Sequence, residues 1–356
     1  MLHANGFLQL LHEDAPEHRG ATQAGSINWA MAMARRAAGR GRVGVRTMLS
    51  LEPWTVGGCG YPDLLATGEF CEGDTIHDRQ HPHDLFMELA ADYDRAIRGG
   101  LRWQLYGGLA GEPALGPPAF PHRLSAMPNP ISPIGHHWLD ATHITYGVVT
   151  AAVYMDAWKA EVSLFNGREP DERRTDLDLG PLDSASVRLS LAPTAALVVQ
   201  VSAGHLNEAE PAFGDEPGVD VDRFTASATY HRPYAGGNVW ATTLGWGANR
   251  ELGETTHGLL AETSITISRA HSLFGRAELN GKLAHDLHIH ESSGIFTVGK
   301  LQAGYTRYLN SARGLTPGIG AVVSAAVVPE ALQPRYGGVG IGAFLTLRPS
   351  AHEMAQ

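Results

Sequence analysis

The sequence contains no long hydrophobic run and no segment with a convincing helical period. A transmembrane helix needs about 18 or more consecutive apolar residues. The longest apolar candidate, 321–328, is far shorter and is interrupted by Ser324. We therefore expect that, if this chain crosses a membrane, it crosses as β-strands.

Positive charge is also scarce. The chain has 37 acidic and 27 basic residues among 356, only 18% of its residues are charged, and no run of Lys or Arg occurs. Proteins that bind nucleic acids through the phosphate backbone need clustered positive charge. The composition therefore predicts no nucleic-acid partner.

Enzyme motifs are lacking as well, since no G-x-S-x-G elbow, phosphate-binding Walker loop or H-E-x-x-H motif is present. Residues 39–44 match G-x-G-x-x-G, but the residues that follow alternate like a strand, so we interpret the match as a turn. A membrane hydrolase with dispersed catalytic residues remains an alternative, and its histidine candidates are His143 and His231. A structural role is the simpler interpretation for both.

The segments that are present alternate apolar and polar residues at period two, which is typical of β-strands with one apolar and one polar face. Examples are 101–106, 158–164 and 259–267, and 42 Gly and 21 Pro residues supply turns. About sixteen such segments begin near residues 4, 24, 41, 84, 100, 139, 157, 182, 194, 222, 238, 256, 271, 294, 315 and 336.

The connections between these segments alternate in length. We predict short connections at 38–40, 98–100, 156–157, 192–194, 234–237, 269–271 and 310–312. We predict long ones at 13–23, 53–83, 113–137, 166–181, 206–221, 249–256, 284–293 and 329–335. This sorting is typical of outer-membrane barrels with short periplasmic turns and long extracellular loops.

The predicted fold is therefore an all-β, transmembrane, antiparallel up-and-down barrel of about 16 strands, with a range of 12–18. It forms one domain over residues 1–350, followed by a polar C-terminal tail at 351–356. A soluble β-sandwich is the alternative. The Pro-rich loop 113–137 either folds inward and constricts a pore or packs over the rim, and the sequence does not distinguish these arrangements.

Histidines and carboxylates are concentrated in the predicted long loops. The run 77–84 holds three histidines and two aspartates, which can bind Cu(II) or Zn(II). Two further groups can converge with it across the extracellular mouth. The candidate metal ligands are His77, Asp78, His81, His83, His136, His137, His285, His288 and His290. Surface histidines that bind no metal are the alternative.

The only cysteines, Cys59 and Cys71, both lie in the predicted loop 53–83. Two cysteines in one exposed loop of an exported protein favour a disulfide over metal ligation.

Charged residues of both signs occupy the predicted inward positions, and they would line an aqueous lumen. They are Arg46, Glu88, Asp92, Arg102, Lys159, Glu161, Arg188, Glu262, Arg276 and Glu278. The first functional hypothesis is a porin-like channel for small solutes or metal ions, and the second is a non-conducting, metal-binding or structural barrel. No required cofactor and no oligomeric state is predicted.

Three blocks of the sequence, at 77–90, 111–120 and 136–145, resemble an uncharacterised family of predicted Gram-negative outer-membrane β-barrel proteins. The resemblance implies a barrel embedded in outer-membrane lipid, and it implies no particular activity. Two features depart from the expected pattern. Residues 1–5 lack the basic and apolar regions of a signal peptide, and the last strand is followed by a polar tail, with Phe344 the nearest aromatic candidate for an assembly signal.

Overall fold

The computed structural model describes residues 1–17, 19–210, 218–289 and 294–350, and it consists almost entirely of β-strands. The strands are β1 (Leu2–Asp14), β2 (Ala21–Ala38), β3 (Gly41–Leu49), β4 (Tyr61–Cys71), β5 (Asp74–Gln80), β6 (Phe86–Arg98), β7 (Leu101–Gly111), β8 (Thr145–Met155), β9 (Trp158–Phe165), β10 (Ser184–Thr194), β11 (Leu197–Glu210), β12 (Val219–Tyr234), β13 (Asn238–Glu251), β14 (Glu254–Ile267), β15 (His271–Leu283), β16 (Ile295–Tyr308), β17 (Leu315–Val327) and β18 (Val339–Pro349).

The helices are all short. Three are α-helical, α1 (Glu52–Thr55), α2 (His136–Leu139) and α3 (Gln333–Tyr336), and 3-10 turns lie at Phe120–His122, Ala141–His143, Ala235–Gly237, His285–Leu287 and Glu330–Leu332. Within the described part of the chain, no helix has the length and apolar character needed to cross a membrane.

Sixteen strands form one closed antiparallel barrel in which each strand pairs with its neighbours in the chain, except that β3 pairs with β6 and β1 pairs with β18. The closing pair runs in continuous register from Gly6 opposite Leu347 to Asp14 opposite Val339. Closure leaves no open sheet edge, which a lipid environment requires because it offers no hydrogen-bond partners. The predicted sixteen-stranded, up-and-down barrel is confirmed.

The two faces of each strand differ as the period-two pattern predicts. In β10, Val187, Leu189 and Leu191 are exposed on the outer surface, whereas Ser186 is buried. In β17, Val323 is exposed outside while its neighbour Ser324 is buried inside. Repeated around the barrel, this alternation creates an outer apolar belt suited to lipid and a polar inner wall.

The connections separate onto two ends of the barrel. At one end, here called the short-turn end, strands are joined by brief turns such as 39–40, 99–100 and 156–157. The other end, the long-loop end, carries 50–85, 112–144 and 166–183. The sixth predicted strand starts later than expected, at Thr145 rather than near 139, because residues 136–143 form α2 and a 3-10 turn.

The prediction of a long loop at 249–256 is wrong. The polar residues of this stretch continue the ladder, with Asn249 opposite Thr256 and Glu251 opposite Glu254. Only Leu252 and Gly253 form the turn, and both have positive φ, 49° and 83°, as in the tight turns that match strand twist. The predicted loop 206–221 is also shorter than expected, since β11 extends to Glu210 and β12 begins at Val219.

Two long-loop segments fold into the lumen. The inner segment is residues 112–144, and the inner hairpin is β4 with β5, which pair only with each other. A disulfide joins Cys59, which precedes β4, to Cys71, the last residue of that strand. Tyr61 of the hairpin and Ile131 of the inner segment pack in one buried cluster with Phe7, Phe274 and Phe344 of the barrel wall.

A buried ion-pair group ties the inner hairpin to the wall. The Lys300 ammonium of β16 donates hydrogen bonds to Glu13 of β1 at 2.9 Å and to Asp63 of the hairpin at 2.6 Å. All three side chains are almost fully buried. Buried charges require such pairing.

We expect Val323→Arg, on the outer face of β17, to lower the free energy of unfolding by about 2–4 kcal/mol, because it places a charge in the apolar belt. The matched control, Leu309→Arg, lies at the short-turn end and is also exposed, so it should cost only about 0–1 kcal/mol. Equilibrium urea unfolding in lipid vesicles measures both. Equal losses would contradict the lipid-facing assignment of β17.

Candidate functional site

The inner wall of the barrel encloses a cavity of about 1250 Å³ that lies toward the short-turn end. Six of the ten predicted lumen residues line it: Arg46, Glu88, Asp92, Lys159, Glu161 and Arg188. Glu262, Arg276 and Glu278 lie against the inner segment instead. Arg102 contacts Asp94. His231, one of the two hydrolase candidates, also lines the cavity.

The charges of the cavity wall are paired across neighbouring strands. Arg188 Nε contacts Glu161 at 2.9 Å, and Lys159 Nζ contacts the same carboxylate at 2.7 Å. Arg46 of β3 lies 3.3 Å from Glu88 of β6, a few strands further around the wall. Because the signs neutralise each other locally, the wall offers a solute a polar surface without a strong field of one sign.

The inner segment forms the roof of this cavity through residues 122–125. It hydrogen-bonds to eight barrel strands. The wall residues that make these bonds include Ser163 (β9), Arg188 (β10), Ser202 (β11), Thr243 (β13), Glu262 (β14), Arg276 (β15), Gln302 (β16) and Asn5 (β1). Of the two arrangements left open by the sequence, the structure has the inward fold.

Arg123 is the central contact between the inner segment and the wall. Its guanidinium donates to Glu262 at 2.6 Å and also pairs with Asp140, and all three side chains are almost fully buried. Burial alone would raise the pKa of Asp140, but Arg123 and His136 together outweigh it and hold that pKa well below its usual range. Asp140 is therefore ionised, and it ties the C-terminal part of the inner segment to residues 120–123.

The structure separates the predicted metal ligands into two groups. In the first, near the rim, the imidazole rings of His77 and His288 stack with centroids 3.8 Å apart, and His77 Nε2 lies 3.3 Å from the carbonyl oxygen of His285. Asp78 does not join them, since its carboxylate accepts hydrogen bonds from Arg19 and from the backbone N–H of Leu65. His290 lies outside the described residues.

The second group, here called the histidine cluster, consists of His81, His83, His136, His137 and His143. Their ring centroids are 5.0–6.3 Å apart in the pairs that contact each other. Four come from the predicted metal set, whereas His143 was considered only as a hydrolase candidate. The cluster joins the end of the 50–85 loop to the end of the inner segment.

A carboxylate accompanies most imidazoles of the cluster. His83 Nδ1 is 2.9 Å from Glu52, His136 Nδ1 is 2.8 Å from Asp140, and His137 Nδ1 is 3.0 Å from Glu169. His81 Nε2 lies 3.0 Å from Glu69. None of these four carboxylates was predicted to belong to a site.

The protonation of the cluster differs from ring to ring. Burial lowers the pKa of His136 to about 4 and lowers the pKa of His143 well below its usual value, so both imidazoles are neutral near pH 7. Burial acts in the same direction on His83 and His137, but the carboxylates beside them together outweigh it and raise the pKa of both imidazoles. The cluster therefore combines neutral imidazoles with two that are more easily charged.

Within the described residues, the only three His, Cys, Asp or Glu side chains whose ligand atoms lie within 4.8 Å of one another are Asp171, Asp176 and Asp178, in the loop 166–183. Exposed acidic groups of this kind are common in loops, so we assign no site there. The predicted metal ligands are brought near each other but are not gathered into such a close group.

His143, the other hydrolase candidate, contacts no possible nucleophile among the described residues. His143 Nδ1–H donates to the carbonyl oxygen of Asp140 at 3.0 Å, and its Nε2 has no hydrogen-bond partner among the described residues. A nucleophile–base pair requires the base within hydrogen-bond reach of a hydroxyl, and His143 makes no such contact with any serine that the structure describes.

The sequence matches no family model and no curated protein. Several solved structures do have a similar fold. OprB of Pseudomonas putida is 6% identical, with 98% of this chain and 93% of that chain covered and a TM-score of 0.59. OmpF of Salmonella typhi, solved in complex with daunomycin, is 9% identical, with coverage of 98% and 97% and a TM-score of 0.57. An anion-selective porin from Comamonas acidovorans is 10% identical, with coverage of 98% and 99% and a TM-score of 0.50.

These similarities extend over almost the whole of each chain, and at such identities they show the fold. The protein is a porin-type β-barrel, the architecture of outer-membrane proteins, and its apolar belt fits a lipid bilayer.

We expect Arg123→Met to lower the free energy of unfolding by about 3–5 kcal/mol, because it removes the cation that the buried carboxylates of Asp140 and Glu262 share. The matched control is Arg173→Met, which removes an exposed pair with Asp171 and should cost at most about 1 kcal/mol. Urea unfolding in lipid vesicles compares the two. A loss for Arg123→Met no larger than the control's would show that this ion pair does not hold the inner segment.

Proposed function

We propose that the protein is a porin-like channel of a Gram-negative outer membrane that passes small polar solutes or ions. The observation that carries this proposal is a closed sixteen-stranded barrel with a charged inner wall and one long segment folded across its lumen. A barrel of this strand number is too wide for wall side chains to fill, so the inner segment sets the width available to a solute.

We infer its orientation in the membrane from the same geometry. The outer apolar belt contacts outer-membrane lipid, the short-turn end faces the periplasm, and the long-loop end faces outward. The 37 acidic and 27 basic residues of the chain favour entry of cations at low salt. The paired charges of the wall make that preference weak.

A second candidate, a non-conducting barrel, is favoured by one specific observation. The inner segment is almost wholly buried and hydrogen-bonds to eight wall strands. A segment held in this way narrows the lumen strongly. The width that remains decides between the two candidates, and conductance measures that width directly.

We expect refolded protein in a planar bilayer to give small, stable conductance steps. A variant with residues 117–133 replaced by a short Gly-Ser linker should give steps several-fold larger, because the roof of the cavity is removed. Arg173→Met serves as the control, since it changes an exposed loop only and should conduct like the wild type.

Each outcome is informative. Wild-type protein that inserts without conducting, together with a conducting linker variant, would establish the non-conducting barrel. Absence of conductance from both proteins, with insertion verified by protease protection, would refute a porin-like pathway altogether.

A further inference from the structure

Three imidazoles of the histidine cluster share one hydrogen-bonding pattern. His83 Nδ1 is bonded to the Glu52 carboxylate, His136 Nδ1 to the Asp140 carboxylate, and His143 Nδ1 to the backbone carbonyl of Asp140. With Nδ1–H donating in each case, Nε2 carries the lone pair. Metal-ligating histidines commonly show this arrangement, in which a carboxylate or carbonyl orients the ring from behind.

The spacing of two ring pairs, both of which include His143, fits a shared ion. The ring centroid of His143 lies 5.0 Å from that of His136 and 5.3 Å from that of His83. Imidazoles bound tetrahedrally at Zn–N distances of about 2.0–2.1 Å have centroids roughly 5 Å apart. Phe120 contacts all three rings, at 5.5–5.9 Å, and packs them together.

An unpartnered atom points to a missing ligand. His143 Nε2 is buried and has no hydrogen-bond partner among the described residues. A buried polar atom without a partner costs free energy and is uncommon in folded proteins. A metal ion would satisfy this nitrogen.

We propose that His83, His136 and His143 bind one divalent transition-metal ion, Zn(II) or Cu(II), at the roof of the lumen cavity. His143 lines that cavity, so the ion has a polar route to the site. The proposal does not depend on whether the barrel conducts.

The chemistry of the three ligands limits which metal ions the site can bind. Three imidazoles suit Zn(II) and Cu(II), whereas Ca(II) and Mg(II) prefer oxygen ligands and Cu(I) prefers sulfur. Both cysteines are engaged in the disulfide and cannot supply a thiolate.

Binding requires the three rings to move closer together, because their nitrogen atoms are not all within 4.8 Å of one another. The carboxylates that orient two of the rings are themselves held by the backbone. Glu52 accepts hydrogen bonds from the backbone N–H groups of Asn28 and His83, and Asp140 accepts one from the backbone N–H of Phe120. We therefore expect the imidazoles to move while these carboxylates stay in place.

The test is titration of the folded protein in detergent with Zn(II) by calorimetry and with Cu(II) by electron paramagnetic resonance. We expect one equivalent to bind, with nitrogen coordination in the Cu(II) spectrum. His83→Gln, His136→Gln and His143→Gln should each weaken binding at least 100-fold. Glu52→Gln, which removes an orienting carboxylate but no ligand, should weaken it about 10–100-fold.

Two matched controls separate this site from its neighbours. His137→Gln changes a cluster histidine that also has a carboxylate on Nδ1 and a buried, unpartnered Nε2, and His77→Gln changes the group near the rim. Each should alter affinity less than 3-fold. The proposal is wrong if either control abolishes binding while His143→Gln does not, or if the wild-type Cu(II) spectrum shows oxygen ligands only. The wild-type Cu(II) spectrum tests for nitrogen ligands even if a histidine variant fails to fold.

Discussion

The structure depends on the requirement that every backbone N–H and C=O inside a lipid bilayer be hydrogen-bonded within the protein. Pairing of β1 with β18 meets that requirement by removing the last sheet edges. Once the sheet is closed, period-two alternation sends apolar side chains outward and polar ones inward, and connections are confined to the two ends. The lumen is the only place left for buried charge, which is where Arg123 and Lys300 lie.

The fold could be predicted from sequence because its signal is local. In 259–267, apolar residues alternate with Glu262 and Ser264. A similar alternation within each strand shows which of its residues face outward and which face inward. The length of a connection was harder to predict. The polar residues around Leu252 suggest a loop, but they form the ends of two paired strands that extend past the apolar belt. The inner hairpin was missed because its ladder is interrupted by register shifts, with Leu65 and Glu69 at positive φ, which breaks the alternation.

The candidate site could be predicted only in part. The density of histidine in 77–84 and 136–137 was visible, and so was the polar wall. The division of the histidines into a rim group and a buried cluster was not, because it depends on contacts between distant parts of the chain. Glu52 reaches His83 across 31 residues, and Arg123 reaches Glu262 across 139. Composition shows which side chains are available, whereas the route of the inner segment decides which ones meet.

The Lys300 ion-pair group couples barrel closure to the filling of the lumen. Lys300 belongs to β16 near the C-terminus, Glu13 to the first strand and Asp63 to the inner hairpin, so the group is complete only when all three parts are in place. During assembly, a barrel still open between its first and last strands leaves at least one of these charges unpaired in a low-dielectric interior. The β1–β18 seam and the inner hairpin thus form a single cooperative unit, in which closure of the barrel wall and docking of the hairpin in the lumen occur together.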